Sequence, residues 1–311
     1  MDKRVEIICL GTKYASWFQR KKAYSKILIE DGGCSKVVSL SMCFSADLTN
    51  LFCKSRAKIF SSIRGNLPIN YRMEFGFLGV FLAYFHLTAL RCFDYVSVMS
   101  MSMKKQVSPF LAGEPHIIGN FIDENEIEKY RKKHVRKDSF KFIFVGSLTK
   151  RKQPILLLKT FKTLLDEGYC AKLDILGKGP LEEELRNLIS EYDLGLFVKL
   201  HGELDVPYEL LASSDAFVLP SSSEGISRAS LEALYLGVPC ILRQVDGNEE
   251  LVENGFNGRL FNSDTELLPV MRNFITESKR SNVSLLPEGF RQPEESSKLL
   301  ELVEEHNHER V

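Results

Sequence analysis

In residues 139–262, short apolar runs alternate with segments whose apolar residues recur every three or four positions. The runs are KFIFVG (141–146), KLDILG (172–177), LFVKLHG (196–202), DAFVLP (215–220) and VPCIL (238–242). Their length and content of β-branched and aromatic residues predict strands. Between them, QPILLLKTFKTLLDEG and PLEEELRNLISEYDLG carry helical spacing. Strands alternating with helices predict a parallel sheet covered on both faces, with ligands received beyond the C-terminal strand ends. The first half alternates in the same way. Its predicted strands are VEIICL (5–10), KVVSLS (36–41), KIFSSI (58–63), YVSVMS (95–100) and PHIIG (115–119). The charged stretch FIDENEIEKYRKKHVRKDS (121–139) predicts a connecting helix or linker. The pattern therefore predicts an α/β protein of two Rossmann-like lobes facing a cleft. Their expected extents are 1–138 and 139–289, with a closing helix and tail over 290–311.

The segment SSSEGISRASLEALYLGVPC (221–240) carries the chemistry. Ser227 is a good N-cap, Gly237 a helix stop and Pro239 a further breaker. Leu231, Leu234, Tyr235 and Val238 follow the i, i+3, i+4, i+7 rule and predict a core face. Glu224 then lies in the loop after a strand, and Glu232 lies two turns into the helix at the edge of the buried stripe. Arg228 is a cation in the first helical turn, where it opposes the helix dipole. Two readings stand at this point: a surface ion pair with Glu232, or an anion bound at the helix N-terminus.

Composition changes the picture in one respect. The 311 residues carry 41 Lys and Arg against 41 Asp and Glu, yet residues 1–138 hold 22 against 13 and the remainder 19 against 28. A basic half suggests that this lobe faces something anionic, for which nucleic acid, an anionic membrane and a phosphorylated acceptor all qualify on charge alone. The seven cysteines form no C-x-x-C pair and read as reduced thiols of a cytosolic protein. The opening MDKRVEIICLG lacks the layout of a signal peptide. FGFLGVFLAYFHLTAL (75–90) falls short of the roughly 20 residues a membrane span needs. It predicts a helix packed on the first sheet, with bedding into a membrane surface as the alternative. The six histidines, His86 among them, show no ligand spacing and are read as structural or solvated. LGKGPL lacks the third glycine of a dinucleotide fingerprint, which argues against a nicotinamide enzyme.

These motifs together resemble glycosyltransferase family 4, the retaining sugar-nucleotide enzymes of GT-B fold. EGISRASLE is similar to the family signature of two glutamates separated by seven residues. FVGSLTKRKQP, LDILGKGPLEEELRNLI, VKLHGEL, YELLASSDAFVLPSSSEG and DGNEELVENGFNGRLF follow in family order. The resemblance implies that Glu224 touches the donor sugar and Glu232 the nucleotide ribose. It implies that Lys152 neutralises the leaving diphosphate and that Gly225, Ile226 and Ser227 face sugar and diphosphate through their amides. Gly146 and Ser147 belong to the same donor site, with Ser147 standing where family members commonly carry arginine. Lys150, Arg151 and Arg228 are the candidate substitutes. With no D-x-D motif in the chain, no metal and no other cofactor is expected.

RAKIFSSIRGNLPINYRMEFGFLGVFLAYFHLTALRCFDYVSVMSMSMKKQV and SADLTN resemble acceptor lobes of bacterial surface-polysaccharide enzymes. Arg64 and Asn66 are candidate acceptor contacts there, with loop stabilisation as the alternative. Gly32-Gly33 follows a predicted helix rather than opening the chain, so the first β-α-β-α portion of the family lobe is expected to be absent. The resemblance implies transfer of a hexosyl unit from a nucleotide-sugar, UDP-linked by expectation, to a lipid-linked oligosaccharide at the cytoplasmic membrane face. Nucleic acid is not among the implied partners. The alternative is a truncated homologue that binds nucleotide and transfers little or nothing.

Overall fold

The computed structural model describes residues 16–30, 37–131, 139–277 and 281–308. The predicted strand at 5–10, Gly32-Gly33 and the expected boundary at Asp138 lie outside them.

The first lobe opens with helix α1 (Trp17–Glu30) and continues as β1 (Val38–Ser41), α2 (Phe44–Cys53), β2 (Lys58–Ile63), α3 (Leu67–Phe75), α4 (Phe77–Ala89), β3 (Tyr95–Val98), α5 (Met101–Val107) and β4 (His116–Ile117). Its four strands are parallel in the order β1-β2-β3-β4. All crossovers step the same way, and right-handed crossovers then stack α2 to α5 on one face. Ile59, Ile63 and Val98 bury with Leu87 and Leu90 beneath this layer. Phe60, pointing the other way, is buried with Ile118 and Leu302. Leu302 belongs to the C-terminal helix α13 (Gln292–His308), which covers the opposite face of this sheet.

The short α6 (Glu124–Glu128) follows β4. The second lobe comprises β5 (Phe140–Val145), α7 (Pro154–Asp166), β6 (Ala171–Leu176), α8 (Glu182–Glu191), β7 (Val198–Gly202), α9 (Tyr208–Ala212), β8 (Ala216–Leu219), α10 (Arg228–Tyr235), β9 (Cys240–Arg243), α11 (Asn248–Leu251), β10 (Gly258–Phe261) and α12 (Asp264–Glu277). The parallel order is β10-β9-β8-β5-β6-β7. Crossovers run one way from β5 to β7 and the other way from β8 to β10, so the chain reverses between β5 and β8. Phe142, Ile143 and Phe144 of β5 are all fully buried, because helices cover both faces. The five predicted strands of this lobe form, and β10 is a sixth.

The apolar stretch 75–90 differs from expectation. Gly76 (φ 61°, ψ −140°) lies in a region that residues with a Cβ rarely adopt, and it divides the segment into α3 and α4. Gly79, Ala83, His86 and Leu87 are buried, whereas Phe77, Leu78, Phe81 and Phe85 project outward. Only one face of α4 packs on the lobe.

Candidate active site

In a doubly wound sheet the crevice for ligands opens where the strand order reverses. Here that point lies between β5 and β8, and the loops leaving these strands carry Lys152 and Glu224. Both side chains are about nine-tenths buried, and the Lys152 ammonium donates to the Glu224 carboxylate. Arg151 adds a second cation, its Nη1 lying 3.4 Å from Glu224 Oε2 and donating to the Ser223 carbonyl at 2.9 Å. Burial presses the Lys152 pKa down, and Glu224 opposes that shift. A buried pair of this kind is costly to break, because removing one partner strands the other charge.

The Glu224 loop is held from below by Asp246. Its carboxylate accepts from the Glu224 backbone amide and the Ser223 hydroxyl, both at 3.2 Å, and from Asn66 Nδ2 at 3.1 Å. Asn66 thus reaches across from the first lobe, while its own Oδ1 caps α3 by accepting from Ile69 N. Both polar atoms of Asn66 serve the scaffold. Gly225 lies against that lobe: a Cβ there would stand 2.8 Å from the Arg64 carbonyl and 3.0 Å from Met99 Sδ. Asn120 ties the lobes again, accepting from Arg64 Nη2 at 2.8 Å and donating to the Ile226 carbonyl at 3.1 Å. A bidentate contact completes the junction, Glu250 accepting from the Met101 and Ser102 amides at 3.0 Å and so capping α5.

Ser227 caps α10 as the sequence predicts, its side chain accepting from Ser230 N. Glu232 is more deeply placed than expected, only 7% exposed. Burial pushes its pKa up to about 7; Arg228 pulls it down and Glu126 adds to the rise. Arg228 does pair with it, but at 3.7 Å and from an exposed position. The same guanidinium, after burial, helps press down the pKa of Arg64. Arg64 and Arg228 line one cavity of about 490 Å³, whose other walls come from the first lobe and α13. A second, of about 460 Å³, brings together Ser147, Lys150, Arg151, Glu224 and Gly225 with Arg64. Gly146, which begins the β5 loop, has Lys152 Cδ packed 3.8 Å from where its Cβ would be. The fold therefore gathers the predicted donor residues of the β5 and β8 loops, and it places Arg64 against them.

Sequence reasoning missed Asp246 and Asn120. Asp246 sits in VDG, a turn-like sequence whose ordinary reading conceals a hub. Its backbone has φ 43°, the left-handed region that Asp tolerates better than most residues. Asn120 follows a two-residue strand and carries no local signal. Among the described residues, no cluster of three or more His, Cys, Asp or Glu side chains is placed to hold a metal ion.

The model of the family described as "Glycosyl transferases group 1" matches residues 126–282, half of the chain. The chain belongs to this family. Relatives include the Escherichia coli UDP-Gal:alpha-D-GlcNAc-diphosphoundecaprenol alpha-1,3-galactosyltransferase, 35% identical over 130 residues, which cover 40% of this chain and 33% of the relative. The capsular polysaccharide biosynthesis glycosyltransferase CapM of Staphylococcus aureus is 35% identical over 144 residues, 44% of this chain and 36% of CapM. The matching region thus spans about a third of the length of these curated relatives. In fold, the chain is similar to Anabaena HepE in complex with UDP-glucose. The TM-score is 0.75 at 17% identity, with 96% of this chain and 84% of HepE covered. The GT-B architecture of two parallel sheets is therefore the fold of this group 1 chain.

Proposed function

We propose that the protein is a retaining glycosyltransferase of family 4 type that moves a hexosyl unit from a UDP-sugar to a lipid-linked saccharide during surface polysaccharide assembly. The observation that carries this reading is the buried Lys152–Glu224 pair at the reversal between β5 and β8. In this reading Glu224 orients the sugar hydroxyls and Lys152 turns toward the diphosphate. Arg151 and the N-terminus of α10 add positive charge where the leaving group develops negative charge. The acceptor hydroxyl attacks C1 on the face the diphosphate leaves. The C1–O bond to diphosphate breaks, the new C1–O bond forms, and a diphosphate oxygen takes the acceptor proton. Glu232 receives the ribose hydroxyls, and no metal takes part. Two relatives support the setting, since one is named for a diphosphoundecaprenol-linked acceptor and the other for capsular polysaccharide biosynthesis.

The outer face of α4 supports work at the inner surface of the cell membrane. Phe77, Leu78, Phe81 and Phe85 are each more than half exposed, and exposed Arg72 and Arg91 flank them. Among the described residues no helix is long and apolar enough to cross a bilayer, so the helix would lie in the interface. Co-sedimentation with phosphatidylglycerol vesicles should fall in Phe77→Ser/Phe81→Ser; retention of full binding would refute the placement.

The donor reading is tested by thermal-shift titration with UDP, GDP and ADP. One nucleotide, UDP by expectation, should stabilise the wild type by RT ln(1+[L]/Kd). Lys152→Ala should respond much less. An equal response in both proteins removes Lys152 from the site. Nucleotide binding without transfer from any UDP-hexose would instead support a homologue that binds donor and no longer turns over.

A further inference from the structure

The residue that follows Lys152 has a backbone conformation that its side chain disfavours. Gln153 stands at φ 51° and ψ 46°, in the left-handed region, which glycine adopts freely and a residue with a Cβ adopts at a penalty. It occupies the N-cap of α7, yet its side chain makes no capping bond to that helix. Pro154 comes next, and its ring disfavours the right-handed helical conformation at the residue before it. The remaining conformation is extended, and reaching it would turn the preceding chain by roughly 110° or more about φ relative to α7. Lys152 is the first residue that such a rotation carries.

The Gln153 side chain is met by Arg243, the last residue of β9. Arg243 Nη2 donates to Gln153 Oε1 at 2.8 Å and also to the Asp264 carboxylate. Its Nε donates to the Pro220 carbonyl at 3.2 Å and its Nη1 to the Asn262 carbonyl at 3.4 Å. Four of the five N–H groups are thus engaged, and the side chain is only 11% exposed. The guanidinium also lies over the Phe261 ring, 5.0 Å from its centroid. A donor fixed on so many sides is rigid, and its charge strengthens the bond to Gln153. Two of the acceptors matter together. Gln153 adjoins Lys152, and Pro220 is where the chain leaves β8 toward Glu224. Between these points the two loops meet directly, the Ser222 amide donating to the Arg151 carbonyl at 2.9 Å. Arg243 therefore spans the anchored ends of the two loops that carry the buried ammonium and carboxylate.

We propose that Arg243 is a positioning residue of the transfer reaction: it clamps Gln153 in the left-handed conformation and Pro220 at the start of the β8 loop, and so keeps Lys152 set against Glu224. Its part in the reaction rests on the donor-site reading above, whereas the clamp rests on the contacts of Arg243 alone. The penalty at Gln153 and the bond from Arg243 offset each other. Glycine at 153 needs no such bond, and alanine keeps the penalty while losing the bond.

Lys152, 8% exposed, reports on the clamp through its own reactivity. The full chain would be acetylated with an N-hydroxysuccinimide ester of acetic acid and followed lysine by lysine by mass spectrometry, with Lys178, 65% exposed, as the internal reference. Wild-type Lys152 should label slowly, and Gln153→Gly should match it within about twofold, since glycine holds the left-handed turn without strain. In Gln153→Ala, Lys152 should label about 5- to 30-fold faster, the left-handed penalty expressed as a population. Arg243→Ala should behave like Gln153→Ala, and adding Gln153→Gly to it should restore protection, a repair that lost packing around Arg243 would not allow. Equal labelling of Gln153→Ala and Gln153→Gly overturns the clamp, and no rescue in the double variant overturns the part of Arg243. The two Gln153 variants leave Arg243 intact, so they decide the clamp even if Arg243→Ala does not fold. UDP affinity by calorimetry should follow the same order, weakest in Gln153→Ala and Arg243→Ala. Unchanged affinity where Lys152 has been loosened overturns the role of Arg243 in the reaction. The expected labelling without UDP binding to the wild type refutes the donor reading and leaves the clamp, so the two failures are distinguishable.

Discussion

Glutamine at position 232 should make the ligand-free protein more stable, with a gain that grows with pH. The Glu232 carboxyl is displaced from its ordinary 4.5 to about 7, and burial is the largest cause. The exposed Arg228, at 3.7 Å, recovers little of that loss. The folded chain holds this proton to about pH 7, whereas the unfolded chain releases it near 4.5. Between those values the folded state binds more protons than the unfolded, so stability falls as pH rises. At about 1.4 kcal/mol for each tenfold change in proton affinity, the penalty is about 1 kcal/mol at pH 5 and about 3 kcal/mol at pH 8. Glutamine has nearly the same shape and carries no charge, so Glu232→Gln escapes the penalty. Urea unfolding of both proteins at pH 5, 6, 7 and 8 should show curves that separate with pH and run parallel above about pH 7. A gap that stays constant across this range, or a variant less stable at pH 8, would refute the argument that burial sets the state of this carboxyl.

The same proton should appear in binding: if ribose hydroxyls donate to ionised Glu232, affinity for UDP-glucose rises about tenfold from pH 6 to pH 8, and a flat titration counts against that contact. Asp246→Ala removes the acceptor for three hydrogen bonds and should cost about 2–4 kcal/mol in urea unfolding while weakening nucleotide binding. Gly225→Ala places a Cβ 2.8 Å from the Arg64 carbonyl and should cost about 1–3 kcal/mol, with transfer activity lost; a variant of wild-type stability and activity would show that the lobes separate there without consequence.

Much of the second lobe was legible in the sequence because its strands are buried on both faces and stand out as unbroken apolar runs. β10, GRLF, was not, since an edge strand of four residues containing an arginine looks like a loop. The site was legible where chemistry and local structure coincide, as at Ser227, whose capping role follows from its place before an apolar helix. The Lys152–Glu224 pair is another matter. These residues lie 72 positions apart, and only the reversal of strand order brings them together. The first lobe was harder for a physical reason. His86 is hydrogen-bonded to Asp47 and Tyr71, but the three come from three helices, and no periodicity distinguishes a buried polar side chain that meets its partners from one that faces water. Residues 75–90 look uniformly apolar, so the sequence does not show which side of α4 meets the core and which is left facing outward.

The contacts of Asp246 and Glu250 have a consequence for the order of events. One short stretch of the second lobe holds the loop bearing Glu224 and also grips Asn66 and the first turn of α5 in the other lobe. Parting the lobes must uncap a helix and loosen the Glu224 loop in the same movement. Domain separation and loop shape are thereby one mechanical coordinate instead of two. Any ligand that reshapes the Glu224 loop would change the tension on the opposite lobe, and whatever occupies that lobe would act back on that ligand by an equal free energy. The two halves of the cleft are thereby joined through the same few contacts that shape the Glu224 loop.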